Sequence, residues 1–72
     1  MSSVRTLSLI ALLRDDPESG LLRGQVGTVV EQLSTGVYEV EFSDELGRAI
    51  ATVPLRADEV LELRGEIGPR VA

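Results

Sequence analysis

The sequence predicts an all-β domain of five short strands with one helical turn before the last. Three observations predict it. "GLLRGQVGTVVEQLSTGVYEVEF", residues 20–42, sets two runs rich in Val, Leu, Tyr and Phe between four glycines, the pattern of a hairpin. "VYEVEF", residues 37–42, alternates strictly, as a half-buried strand does. "RAIATVPLRADEV", residues 48–60, carries a second β-rich run, a proline and one turn's worth of helix-compatible residues.

Taken in order, "MSSVR" reads as a frayed tail. "TLSLIALLR", residues 6–14, is a Leu, Ile and Ala run of strand length that "RDDPESG" and Pro17 cut short. It has no strict alternation, so either Ile10 and Leu12 or Leu9 and Leu13 face outward. "RDDPESGLLRG", residues 14–24, is a long polar connection, with Asp16 held extended by the proline that follows it. "QVGTVVEQL", residues 25–33, is the best strand, rich in β-branched residues. Its Gly27 marks a bulge or the close approach of another backbone. In "VYEVEF", Tyr38, Val40 and Phe42 share one face and belong to the core. "SDELG" is a tight loop. In "RAIATV", Ala49, Ala51 and Val53 point inward, and Pro54 ends the strand. "VLEL", residues 60–63, closes the domain. The folded unit is residues 6–63, with residues 1–5 and 64–72 as flexible tails. No internal repeat and no heptad is present.

Composition bounds the function. Seventy-two residues make one domain that buries only about 60% of its unfolded surface. With no Cys and no His, disulfides and the usual zinc ligand sets are excluded. Stability rests on an aliphatic core, since Tyr38 and Phe42 are the only aromatics. All seven basic residues are Arg, and the net charge is −5. The acid is concentrated: between residues 37 and 62 seven Asp and Glu stand against Arg48 and Arg56. Such a surface repels phosphate, so nucleic acid and anionic membrane are disfavoured and a basic partner is favoured. "LSLIALL", residues 7–13, is too short to span a bilayer and lacks the flanks of a signal peptide. A cytoplasmic location is expected.

This order of elements resembles an SH3-like small β-barrel. "LLRGQVGTVVEQL" is also similar to the KOW motif of ribosomal and transcription-factor barrels. "GRAIATVPLRADEV" resembles the stretch of signalling SH3 domains where Val-Pro ends a strand and a valine starts the last one; here these are Val53, Pro54 and Val60. A closer resemblance is to a family of small bacterial proteins classed as a domain of unknown function. Its pattern is met by Asp15, Pro17, Gly20, Leu21, Gly24, "GTVVE" at 27–31, Tyr38, "VEF" at 40–42 and Gly47. The resemblance runs over about residues 7–63. It implies a barrel and supplies no chemistry.

Enzymatic chemistry has little to work with, because the commonest general base and most nucleophiles are absent. The glycines of "GLLRGQVG" fit neither dinucleotide nor P-loop spacing, and they lead into a strand. Asp15, Asp16 and Glu18 lack the ligand spacing of a calcium loop; a solvated acidic loop is the plainer reading. Resemblance to signalling SH3 domains implies that these acids attract a basic residue of a ligand. The stacked aromatics of a polyproline groove are missing, as are the basic and aromatic residues that bind RNA.

What remains is aliphatic surface. One face of strand 7–13 exceeds what a barrel this small can bury, and exposed apolar patches mark interaction sites. Leu9 and Leu13, with Ile50 beside them and Leu33 and Leu55 as additions, are the candidate contact. The competing reading is that loop 14–24 covers the patch with Leu21 and Leu22. The domain is therefore expected to be a non-enzymatic protein-interaction module. Its partner is expected to be a second copy, giving a homodimer, or a basic protein, one candidate being a protein encoded alongside it. No cofactor, metal, small-molecule substrate, nucleic acid or membrane is expected. A KOW-like accessory domain on a ribonucleoprotein is the alternative, and an enzyme ranks behind both.

Overall fold

Alternating apolar residues can be satisfied only by pairing, and this chain pairs into one antiparallel sheet. A computed structural model describes Val4 and residues 6–63. The strands are β1 (Leu9–Leu12), β2 (Val26–Ser34), β3 (Val37–Ser43), β4 (Ala49–Arg56) and β5 (Val60–Glu62). A 3₁₀ turn, Ala57–Glu59, stands before β5. The sheet order is β4-β3-β2-β1-β5. The all-β class, the five strands and the single turn are as the sequence predicts. The closure is not: the sheet is open, with β4 and β5 as its ends. A three-residue β5 already paired to β1 offers too short an edge for the eight-residue β4.

The inner faces still meet in one core. Ile10, Leu12, Leu21, Val29, Tyr38, Val40, Phe42, Leu55 and Val60 are buried together. Tyr38, Val40 and Phe42 take the inward positions that their alternation predicts. On β1, Ile10 and Leu12 are buried while Leu9 and Leu13 are about half exposed, which settles the register that the apolar run left open. Val4, inside the segment read as a frayed tail, is partly buried against the core. Its N–H donates to the Tyr38 hydroxyl at 3.2 Å, so the phenol is satisfied where its ring is buried. The rest of segments 1–5 and 64–72 lies outside the described residues.

At Gly27 the close approach holds and the bulge does not, while the expectations for Pro54, Leu55 and Ala49 are corrected. Gly27 is not at a bulge, because the irregularities of β2 fall between Val29 and Glu31 and between Gln32 and Ser34. Its inward side is filled instead by the Phe42 ring and the Glu41 carbonyl, each within 3 Å of where a Cβ would stand. Pro54 does not end β4, which runs through it to Arg56 with Pro54 opposite Glu39. Alternation consequently continues to Leu55, which is buried rather than part of an outer patch. Ala49 is exposed at the strand's start, while Ala51 and Val53 pack against the core as expected.

Pro54 is tolerated because β4 is an edge. Ala57 donates its N–H to Gly36, and ladder bonds alternate along an antiparallel pair. Leu55, Val53 and Ala51 therefore bond toward β3, and Thr52, Pro54 and Arg56 present their backbone to the free edge. Pro54 has no N–H to offer, and the Arg56 N–H is taken by Glu59 Oε1 at 2.8 Å. Both features blunt the edge against further pairing. Edge association through strand 7–13, an alternative geometry in the sequence reading, is excluded because β1 is paired on both sides.

The β3–β4 loop is built around Asp44. Its Oδ1 accepts the N–H groups of Leu46 (2.8 Å) and Arg48 (2.9 Å), and its Oδ2 accepts Arg48 Nε at 3.0 Å. The Arg48 backbone bond is the largest of the interactions that lower the Asp44 pKa below its ordinary value. A depressed carboxyl pKa contributes stability above the unfolded-state value, and that contribution is lost as pH falls through the folded value. Carboxyl carbon shifts followed by NMR should show Asp44 titrating below the ordinary aspartate value. A midpoint at that ordinary value would refute the turn geometry.

Candidate functional site

The connection between β1 and β2 is a small hairpin of its own. The Asp16 N–H donates to Leu21 O (2.8 Å), the Leu21 N–H returns to Asp16 O (3.1 Å), and Asp15 Oδ1 accepts the Arg23 N–H at 2.8 Å. Positive φ at Gly20 (74°) lets the chain reverse inside it. Leu21 then enters the core and Leu22 stays exposed, so this loop does not cover the outer face of β1.

Folding the loop down creates a cleft of about 370 Å³ between residues 14–19, the end of β4 and the 3₁₀ turn. Asp15, Asp16 and Glu18 all line it, joined by Glu59. Arg14 is the one cation in the wall, and Val53 and Pro54 supply apolar surface. Glu59 is fixed in place by the Arg56 N–H and lies 3.9 Å from the Arg56 guanidinium. Among the described residues the Asp16 and Glu18 side chains have no hydrogen-bond or ion-pair partner. Sequence reading found three of the four acids. It missed Glu59, which sits on a distant turn and accepts the Arg56 N–H; an arginine side chain cannot accept the return bond, so the segment shows no capping-box signature to mark it.

A second surface lies on the opposite side of the sheet. Leu9 and Leu13 project there at 43% and 46% exposure, beside Val26 (48%) and Leu61 (54%). Register places Ala11 at the centre, directly between Val26 and Leu61. The structure therefore brings Leu9 and Leu13 together and adds Val26 and Leu61, which sequence reading missed. Ile50 is not beside them. It lies on β4, with β2 and β3 intervening, about 14 Å away at ordinary strand spacing. There it lines a separate shallow hollow of about 520 Å³ with Leu46 and Gln25. Leu33 is exposed at the far end of β2.

Among the described residues no group of three or more Asp, Glu, His or Cys converges to hold a metal ion. Among the same residues no helix is long and apolar enough to cross a membrane. Residues 6–62 match the family described as "Domain of unknown function (DUF4926)". No curated protein and no solved structure matches the chain.

Proposed function

We propose that this chain, which belongs to that family of unknown function, is a non-enzymatic interaction module that takes a basic segment of a partner protein into its acidic cleft. The observation that carries this reading is the convergence of Asp15, Asp16 and Glu18 with Glu59 around one opening. An arginine or lysine entering there meets the unpartnered carboxylates of Asp16 and Glu18. Its aliphatic stem lies along Val53 and Pro54, the arrangement long cationic side chains favour. Exposed ion pairs contribute about 0.2–1 kcal/mol each and are screened by salt, so binding of one such side chain is weak and salt-sensitive. Selectivity would come from charge sign and from the geometry of the loop.

The same charges oppose the ribonucleoprotein alternative. Of the arginines in the described residues, Arg48 is bonded to Asp44, and Arg56 to Asp58 and Glu59. Only Arg14 and Arg23 are left without an acidic partner, too few for a phosphate-binding stripe.

Titration of the full chain with an arginine-rich peptide, followed by amide chemical shifts, tests the reading. The amides of residues 14–19 and of Glu59 should move, and the movement should shrink as salt is raised. Replacing Asp16 and Glu18 by Asn and Gln should weaken binding about threefold to tenfold, from two exposed ion pairs. Unmoved amides at millimolar peptide, or equal response to an acidic peptide of the same length, would refute it.

A further inference from the structure

The outer face of β5, β1 and residues 26–28 of β2 carries no charge, although the chain as a whole bears −5; Glu41, opposite Thr28, and Glu31, opposite Glu39, stand at its border. Its outward positions are Leu61, then Leu9, Ala11 and Leu13, then Val26 and Thr28. Ala11 is a dimple ringed by four large side chains: Leu9 and Leu13 along the strand, Val26 and Leu61 across it. From this geometry we infer that the face is an interface for a second copy of this chain.

The face is self-complementary. It bears both a hole, at Ala11, and knobs that fit one. A copy related by a twofold axis and offset by one step along the strand places Leu13 over the partner's Ala11, and symmetry returns the same contact. No acid lies within the apolar patch itself, Glu41 and Glu31 standing at its border, whereas four carboxylates line the cleft. The loop 14–24 leaves the face open, because Leu21 turns into the core and Leu22 remains exposed.

Size sets the strength. Four half-exposed aliphatic side chains present about 300 Å² of apolar surface, within the range of a functional patch. Two facing copies would bury about 600 Å² of it, at the low end for association, where complexes are weak and transient. The expected species is a dimer that dissociates on dilution.

Sedimentation equilibrium of the full chain from micromolar to millimolar concentration tests this. The mass should rise toward that of two chains, with the rise unchanged or strengthened by salt. Ala11→Arg fills the hole and should raise the dissociation constant about tenfold or more. Leu13→Ser, at a position beyond the β1 ladder, should do the same, and circular dichroism should match the parent in both. A strict monomer at millimolar concentration overturns the inference and leaves the face to a different protein. A dimer that persists in both variants, or that falls apart as salt is raised, assigns association to another surface and overturns it equally. Neither outcome touches the cleft, whose peptide binding weakens with salt and depends on Asp16 and Glu18.

Discussion

Gly27→Val should destabilise the domain by about 3 kcal/mol or more, the upper range for forcing atoms into a filled core. The cause is local and specific. A Cβ at residue 27 would stand 2.8 Å from both Cδ2 and Cε2 of Phe42 and 2.9 Å from the Glu41 carbonyl oxygen. Gly27 pairs with Phe42 on one side and Ile10 on the other, and both neighbours are fully buried. The ring occupies the space that a side chain would use and has nowhere to retreat. Gly27→Ala should already cost about 1–3 kcal/mol, although Ala suits a strand interior better than Gly. The cycle with Phe42→Leu identifies the ring as the cause: a smaller side chain at 42 should recover part of the loss at 27, with a coupling of about 1 kcal/mol or more. Urea denaturation of the four proteins measures it. A Gly27→Val midpoint at or above that of the parent would remove this account, and additive costs would shift the blame from Phe42 to the backbone carbonyl.

How much of this was legible depended on whether a signal was periodic or long-range. The inward set Tyr38, Val40 and Phe42 follows from period two alone. β1 was ambiguous because it is apolar on both faces, and it is so for a structural reason. It is the strand between β2 and β5, with the core beneath it and the uncharged face above. Pro54 misled because a proline usually stops a strand; only its place on an edge, invisible without topology, lets β4 continue to Leu55. Gly27 was flagged as a close approach, but the approaching group comes from β3, and no local pattern names it. Glu59 joined the loop acids for the same reason: strand order carries it there. Ile50 was assigned to the wrong patch because its exposure was legible and its neighbours were not. Barrel closure was inferred from element order, which says nothing about whether the two end strands reach each other.

Leu21→Ala tests whether the loop that builds the cleft is part of the fold. Nothing periodic distinguishes Leu21 from Leu22, yet Leu21 is 1% exposed and Leu22 64%. The paired bonds between Asp16 and Leu21 set which of the two faces inward. Truncating a buried leucine costs about 2–5 kcal/mol, and a single core of this size supplies only about 3–5 kcal/mol of net stability. Leu21→Ala should therefore bring the protein close to its unfolding midpoint at room temperature, while Leu22→Ala should stay within about 0.5 kcal/mol of the parent. The loss should also reach the cleft. With Leu21 no longer anchored, Asp15, Asp16 and Glu18 lose their fixed position opposite Glu59. In the cold, where enough of the variant is folded to titrate, the arginine-rich peptide should bind more weakly to Leu21→Ala than to Leu22→Ala. Equal stability of the two variants would show that loop 14–24 lies on the domain without being anchored in it. Unchanged peptide affinity in a destabilised Leu21→Ala would show that the acids act through charge alone, with no need for the geometry that the loop gives them.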